Sequence, residues 1–209
     1  QGSAKARKTE GLFVLEGLRI CSDAMENSIK FDKLIISSSA EERYKTELSA
    51  FFENSDEIYK IPDSLFTKIS DTQSPQGIIA VVKIPKLNNE ISKNGRYIAL
   101  ERLNDPSNLG AVSRTAEALG VSGIIMSGDS VDPYSPKSLR ASMGTLLRMT
   151  LIILPNFVSD LKKSGLKLFA CVVDKNAKPI TEVDFTDGTV LAIGNEANGL
   201  SEEFKNAAD

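Results

Sequence analysis

The sequence predicts an α/β protein of two units, the second built on a parallel sheet. Three observations predict it. Short apolar runs alternate with amphipathic stretches from one end of the chain to the other. Those runs are near-continuously apolar, as in strands covered on both faces. One polar stretch, PKLNNEISKNG at 85–95, interrupts the alternation with Pro, Gly and no apolar period, and reads as a linker. The expected units are therefore 1–84, a small α/β domain, and 96–209. With 209 residues, 41% hydrophobic and 25% charged, the chain has the length and balance of an ordinary globular protein with a real core.

In chain order, GLFVLEG reads as a strand and LRICSDAMENS as a helix with Leu18, Cys21 and Met25 on one stripe. FDKLIISS is a strand, AEERYKTELSAFFENS a helix and DEIYKI a strand. PDSLFTKIS is a helix opened by Pro62, and QGIIAVVKI a buried strand. Beyond the linker, RYIALERL is a strand, NDPSNLGAVSRTAEALG a loop and helix, VSGIIMSG a strand and SPKSLRASMG a helix. RMTLIIL is a strand, NFVSDLKKSG a helix, and KLFACVVD and GTVLAIG are strands. The last runs into NEANGLSEEFKN, a turn and a new helix. There is no internal repeat and no low-complexity tract, and the opening QGSAKARK reads as a trimmed or vector-derived terminus.

Composition narrows the chemistry. No run approaches the ~18 apolar residues of a membrane span, and no secretory signal pattern opens the chain. Cys21 and Cys171 stand far apart, each at or next to an apolar run, which points to a reduced, cytoplasmic protein without a disulfide. The absence of histidine removes the commonest general base, the Ser–His and Cys–His pairs and most zinc sites, and no metal is expected. The absence of tryptophan excludes an indole stacking platform, although Phe and Tyr remain. A net charge of −3 argues against a sequence-independent grip on polyanions and leaves room for local basic patches.

Three stretches carry candidate chemistry. In NDPSNLGAVSRTAEALG, Asp105-Pro106 and Gly110 bracket a turn, and Ser107 or Asn108 is placed to cap the helix. Val112, Thr115, Ala116 and Leu119 share one face, which should meet the sheet, and Arg114 lies opposite, between Ala111 and Ala118. Arg114 is then either a solvated side chain paired with Glu117 or part of an anion site at a strand-to-helix junction, where parallel sheets place ligands. In TVLAIGNEANGLSEE, Gly194, Asn195, Glu196 and Gly199 end a buried strand, and Ser201 caps the next helix. The glycines serve the turn alone, or they let backbone approach a ligand. A carboxylate here suits a cation such as a sulfonium, or hydroxyl donors, and repels a pyrophosphate. The third stretch, SPKSLRASMGTLLR, presents Lys137, Arg140 and Arg148 with no acid between them, as a solvated face or as phosphate contacts.

Taken together, these blocks resemble the SpoU (TrmH-type) branch of the SPOUT superfamily, the knotted RNA 2′-O-ribose methyltransferases. LNDPSNLGAVSRTAEALGVSGII is similar to the family's first motif, with Asn108, Gly110 and Arg114 at the matching positions. LAIGNEANGLS is similar to the second, with Gly194, Glu196 and Gly199, and KSLRASMGTLLRM resembles the intermediate R-A-S-x-G segment. GLFVLEG and DTQSPQGIIAVV resemble the small ribosomal-protein-like domain that precedes the catalytic domain in many members and binds substrate RNA. The resemblance covers nearly the whole chain.

It implies a trefoil-knot domain, S-adenosyl-L-methionine as cofactor, RNA rather than DNA or membrane as partner, and a homodimer. Ribosomal RNA is expected more than transfer RNA, because the extra first unit suits a large folded target. Arg114, Asn108 and Glu196 are then the catalytic residues. Val173, Gly194, Asn195, Glu196, Gly199 and Leu200 hold the cofactor, and Lys137, Arg140 and Arg148 meet RNA. A guanidinium with a pKa above ~12 is a poor base near neutral pH, so Arg114 is expected to bind phosphate or steady a developing alkoxide. The family's third motif, an S-L-N-like segment, would follow Asp209, and the natural chain is expected to continue into it. Two other readings are a non-catalytic RNA-binding protein of the same fold and an unrelated α/β enzyme acting on a small metabolite. The missing phosphate-loop and dinucleotide fingerprints count against the latter.

Overall fold

The computed structural model describes residues 4–86, 90–186 and 188–209, so part of the expected linker, residues 87–89, lies outside the described residues. It divides into two compact units. One comprises Gln1–Pro85 and Tyr134–Arg148, the other Lys86–Pro133 and Met149–Asp209.

The first unit opens with a helix the sequence reading lacked, α1 (Ala4–Glu10). It continues through β1 (Leu12–Glu16), α2 (Leu18–Glu26), β2 (Phe31–Ser37), α3 (Ser38–Arg43), α4 (Lys45–Glu53), β3 (Ser55–Ile61), α5 (Asp63–Ile69) and β4 (Ile78–Lys83). Its sheet has the order β1-β4-β2-β3. β4 runs antiparallel to both β1 and β2, and only β2 and β3 are parallel. The apolar run of β4 marks a strand covered on both faces, and a central strand earns that cover whichever way its neighbours run. The helix expected over 40–55 breaks at Tyr44 (φ −115, ψ 37) into α3 and α4, with neither Pro nor Gly to announce the break. On α2 the buried stripe is Cys21 and Ala24, with Met25 at its edge.

The second unit contains β5 (Arg96–Leu100), α6 (Pro106–Ala118), β6 (Gly123–Ser127), β7 (Leu151–Leu154), α9 (Phe157–Ser164), β8 (Lys167–Ala170), a 3-10 turn (Ile180–Glu182), β9 (Thr189–Ile193) and α10 (Glu202–Lys205). Its sheet is parallel throughout, in the order β7-β6-β5-β9-β8. All five residues of β6 are buried, as the apolar-run argument requires of a strand covered on both faces. From β5 the chain builds outward through β6 to β7. It then crosses to the far edge at β8 and returns as β9 beside β5. The winding therefore reverses at β5, the position where open parallel sheets leave a crevice at their carboxyl ends.

The segment between β6 and β7 in sequence, with α7 (Pro136–Ser142) and α8 (Thr145–Arg148), belongs to the first unit. Tyr134 stacks on Phe13 with ring centroids 5.1 Å apart, Leu139 is buried, and Arg148 pairs with Asp23. By its contacts, the stretch 134–148 of the expected second domain, 96–209, thus groups with the first unit. Helical periodicity reports that 135–143 has an apolar face, not which core that face joins. Among the described residues no helix is long and apolar enough to cross a membrane.

Candidate active site

β5 and β9 are parallel neighbours with Leu100 opposite Ile193, so the segments leaving them, 101–105 and 194–201, start level. The Glu101 N–H donates to the Ile193 carbonyl at 3.0 Å, extending the ladder by one residue. Sheet register alone thus brings the two segments together.

In the first segment Asp105, not Ser107 or Asn108, caps α6. Its side chain accepts from the Ser107 N–H at 2.7 Å, with Pro106 in the first turn, where its missing N–H costs nothing. Gly110 lies inside the helix and is buried, so it is not part of the turn. The buried face is Leu109, Gly110, Ser113 and Ala116, while Thr115 is exposed and Leu119 is 72% exposed. The expected face is therefore rotated. Ser113 can go inward because its hydroxyl donates to the Gly110 carbonyl (2.9 Å), a satisfaction that a wheel of apolar residues does not register. Arg114 stays on the exposed side with Ala111 and Ala118.

The second segment turns tightly. Asn195 and Gly199 exchange backbone hydrogen bonds of 3.0 and 2.8 Å, with Gly199 at φ +68. A Cβ on Gly194 would fall 2.1 Å from the Gly199 carbonyl carbon and from the Leu200 nitrogen, so only glycine fits. The Asn195 Oδ1 accepts from the N–H groups of Ala197 (3.0 Å) and Asn198 (3.1 Å), and its Nδ2 donates to the Arg102 carbonyl at 2.9 Å.

Two carboxylates cross between the segments in opposite directions. Glu196, from the second, accepts from the Asp105 N–H (3.1 Å) and Asn108 Nδ2 (3.0 Å), and more distantly from the Asn104 N–H (3.4 Å). Glu101, from the first, is only 4% exposed and accepts from the N–H (2.7 Å) and hydroxyl (2.6 Å) of Ser201. The Ser201 hydroxyl in turn accepts from the Phe204 N–H, capping α10, and Phe204 is buried against Phe157. Desolvation pushes the Glu196 carboxyl up, but hydrogen bonds from Asn108, from its own backbone and from Asp105 and Asn104 together hold it below the usual 4.5.

A cavity of about 280 Å³ opens beside the paired loops, lined by Arg102, Asn104, Asp129, Asn195 and Gly199–Ser201 among others. Arg102 sits in the left-handed region at φ +54, pinned there by its N–H on Ser127 Oγ (2.8 Å) and its carbonyl on Asn195. Gly199 has open space where a Cβ would stand, so a flat ligand can reach its backbone. Of the carboxylates in its lining, Asp129 pairs with the Arg102 side chain at 3.2 Å and Glu101 is held by Ser201, while Glu196 lies outside the lining. The donor set fits a nucleoside-bearing sulfonium better than a polyphosphate.

The structure thus joins Asn108, Gly194, Asn195, Glu196, Gly199 and Leu200. Arg114 is six residues along α6 from Asn108, about 9 Å by helical rise. Val173 lies beyond the end of β8, fully exposed and outside the lining of this cavity. Lys137, Arg140 and Arg148 belong to the other unit, and the Arg148 guanidinium is engaged by Asp23, an acid distant in sequence. Sequence reasoning missed Glu101, Arg102 and the amides of Asn104 and Asp105. Glu101 offered one signal, a charge set directly against the apolar run RYIAL.

Residues 95–209, more than half of the chain, match the sequence model of the SpoU rRNA Methylase family. The chain belongs to this family. Residues 2–80 match an MRM3-like substrate binding domain. An uncharacterized tRNA/rRNA methyltransferase of Synechocystis sp. is 32% identical over 94% of this chain and 73% of its own length. The 23S rRNA (uridine(2479)-2′-O)-methyltransferase of Streptomyces viridochromogenes is 27% identical, covering 100% of this chain and 76% of the relative. The crystal structure of the SpoU methyltransferase AviRb from that organism, in complex with the cofactor AdoMet, superposes with a TM-score of 0.82 at 25% identity, over 100% of this chain and 82% of that one. The α7–α8 segment lies inside the region matched to the SpoU family while packing in the first unit.

Proposed function

We propose that this chain transfers a methyl group from S-adenosylmethionine to a ribose 2′-hydroxyl of ribosomal RNA, acting as a homodimer in the cytoplasm. The observation that carries the reading is the Glu196 carboxylate closing the second loop onto Asn104, Asp105 and Asn108 of the first. Two motifs far apart in sequence thereby share one rim of one sheet, in a chain of the SpoU family.

S-adenosylmethionine, when bound, supplies a methyl group on a positively charged sulfur. The chain's own residues hold and align. The backbone of Gly194, Asn195, Gly199 and Leu200 is assigned to the adenosine part, with Val173 contributing from beyond β8. Glu196, kept ionised by its donors, would hold negative charge at the rim shared by the two loops, which suits a cationic cofactor. Asn108 holds Glu196, and so holds the shape of both loops. Fixing donor and acceptor in line can supply ~7–11 kcal/mol of barrier reduction, more than a single acid or base provides. Arg114, exposed on α6, is assigned to a phosphate beside the target ribose or to the developing alkoxide, since a guanidinium keeps its proton near neutral pH. Lys137 and Arg140, both exposed on α7, are assigned to RNA phosphates. Arg148 reaches RNA only by leaving Asp23.

The choice of ribosomal RNA draws on the named activity of the Streptomyces relative. Leu119, 72% exposed at the end of a face of small residues on α6, supports a second copy packing there. Free thiols at Cys21 and Cys171 suit a reducing compartment. The test is methyl transfer from radiolabelled S-adenosylmethionine to ribosomal RNA, with mapping of the methylated ribose. A 2′-O-methyl product is expected. Binding of RNA with neither cofactor binding nor transfer would overturn the enzymatic reading in favour of an RNA-binding protein.

A further inference from the structure

β3 is an edge strand of the first unit's sheet, with β2 beside it and no strand beyond it among the described residues. Such an edge presents unpaired N–H and C=O groups, which proteins ordinarily blunt with a short strand, proline, charge or a covering element. Only charge is present here. The strand runs for seven residues, Ser55–Ile61, without proline, and Asp56 to Lys60 are all exposed. Ile58 is 42% and Tyr59 45% exposed.

The direction of the free backbone groups follows from the ladder. The Ser37 N–H donates to the Gly77 carbonyl on the β4 side, so by alternation Leu34 and Ile36 turn their N–H and C=O toward β3. They lie level with Ile58 and Lys60, and in a parallel ladder they bond to the residues on either side, Glu57, Tyr59 and Ile61. Ile58 and Lys60 therefore point their own N–H and C=O outward, away from β2.

The charges are arranged symmetrically about Ile58, with Asp56 two residues before it and Lys60 two after. In an antiparallel pair of two copies centred on Ile58, Asp56 of each faces Lys60 of the other, Glu57 faces Tyr59, and Ile58 faces itself. Centring one residue earlier sets Glu57 against Glu57, and one residue later leaves Asp56 and Lys60 unmatched. Asp56 forms no ion pair within its own chain among the described residues, and Lys60, which meets Glu41, has further donors to offer.

We propose that β3 pairs antiparallel with β3 of a second copy, joining two four-stranded sheets into one continuous sheet about a two-fold axis at Ile58. The occupant is this chain rather than an arbitrary peptide, because an edge carrying both signs discourages most strands and matches its own reverse. The contact uses residues of the first unit alone. It adds to whatever assembly forms through Leu119 on α6, and it holds whether or not the chain transfers methyl groups.

The experiment is sedimentation velocity of the full chain across micromolar concentrations, at low and high salt. The wild-type chain should gain mass as concentration rises, and less readily at high salt, which screens the Asp56–Lys60 pairs. Asp56→Lys sets like charges against Lys60, and Lys60→Glu sets like charges against Asp56. Each variant alone should associate roughly tenfold more weakly, with high salt now helping rather than hindering. An equimolar mixture of the two variants restores opposite charges at every crossing. It should recover wild-type affinity, a gain that a misfolded strand does not give. Association unchanged in both single variants would overturn the proposal, as would a mixture that associates no better than its components, or a wild-type mass that stays constant over the range. Leu119→Lys should leave this association in place, and its complete loss in that variant would assign the contact to α6 instead.

Discussion

Glu196 is exposed, yet its environment makes it a fixed negative charge. Because its folded pKa lies below the ordinary value, the stabilisation it provides is fully present above that ordinary value and is lost only as pH falls through the lower folded one. The loop–loop contact should therefore survive mild acid and loosen only below the ordinary carboxylate range. Glu196→Gln keeps the shape and removes the charge. It should raise the cofactor Kd about 10- to 100-fold by calorimetry, the scale of one charge-assisted hydrogen bond. It should also flatten the acid limb of cofactor binding, and an unchanged limb would assign that titration to another group. Arg114→Lys retains charge and loses the planar fork, so kcat should drop at least ~10-fold with cofactor affinity intact. Near-normal turnover would refute bidentate positioning. Burial pushes the Cys21 thiol up to about 12, while Cys171 is exposed and raised less. A thiol reagent at neutral pH should accordingly label Cys171, slowly, and reach Cys21 only on unfolding.

At the scale of elements, the two loops are held by register, by glycine and by exchanged carboxylates. Gly194→Ala introduces a Cβ against backbone that cannot move aside, so it should displace the 194–200 turn and abolish measurable cofactor binding while leaving secondary structure intact by circular dichroism. Glu101→Ala removes the acceptor of two short hydrogen bonds and leaves the Ser201 N–H unpaired, at a cost of about 1–3 kcal/mol in a urea titration. The loops themselves were legible in the sequence, because Gly194, Asn195, Glu196 and Gly199 after an apolar run have few other uses. The buried latch at Glu101 was not, since a carboxylate after a strand ordinarily faces water and its partner lies a hundred residues away. The same limit rotated the predicted face of α6. Periodicity weighs Leu119 as inward and Ser113 as outward, whereas a hydroxyl satisfied on its own helix buries readily and a leucine at a helix end need not.

At the scale of the molecule, the order of elements was legible and their allocation to cores was not. A helix between two strands of one sheet is expected to pack on that sheet, and α7 instead completes the other unit, with Tyr134 on Phe13 and Leu139 buried. The first unit is therefore discontinuous in sequence. It holds its β1 face closed with residues that arrive after β6. Residues 1–85 produced alone should fold less stably than the same residues in the intact chain, because Phe13 loses its ring partner and Asp23 its counter-ion. Asp23→Ala in the intact chain should reproduce part of that loss, about 1 kcal/mol for a pair whose side chains are roughly a quarter exposed, and Asp23→Ala with Arg148→Ala should cost less than the sum of the two. Urea titration of the fragment and of these variants measures both effects. A fragment 1–85 as stable as the intact chain would mean that the α7–α8 segment merely rests on a core already complete.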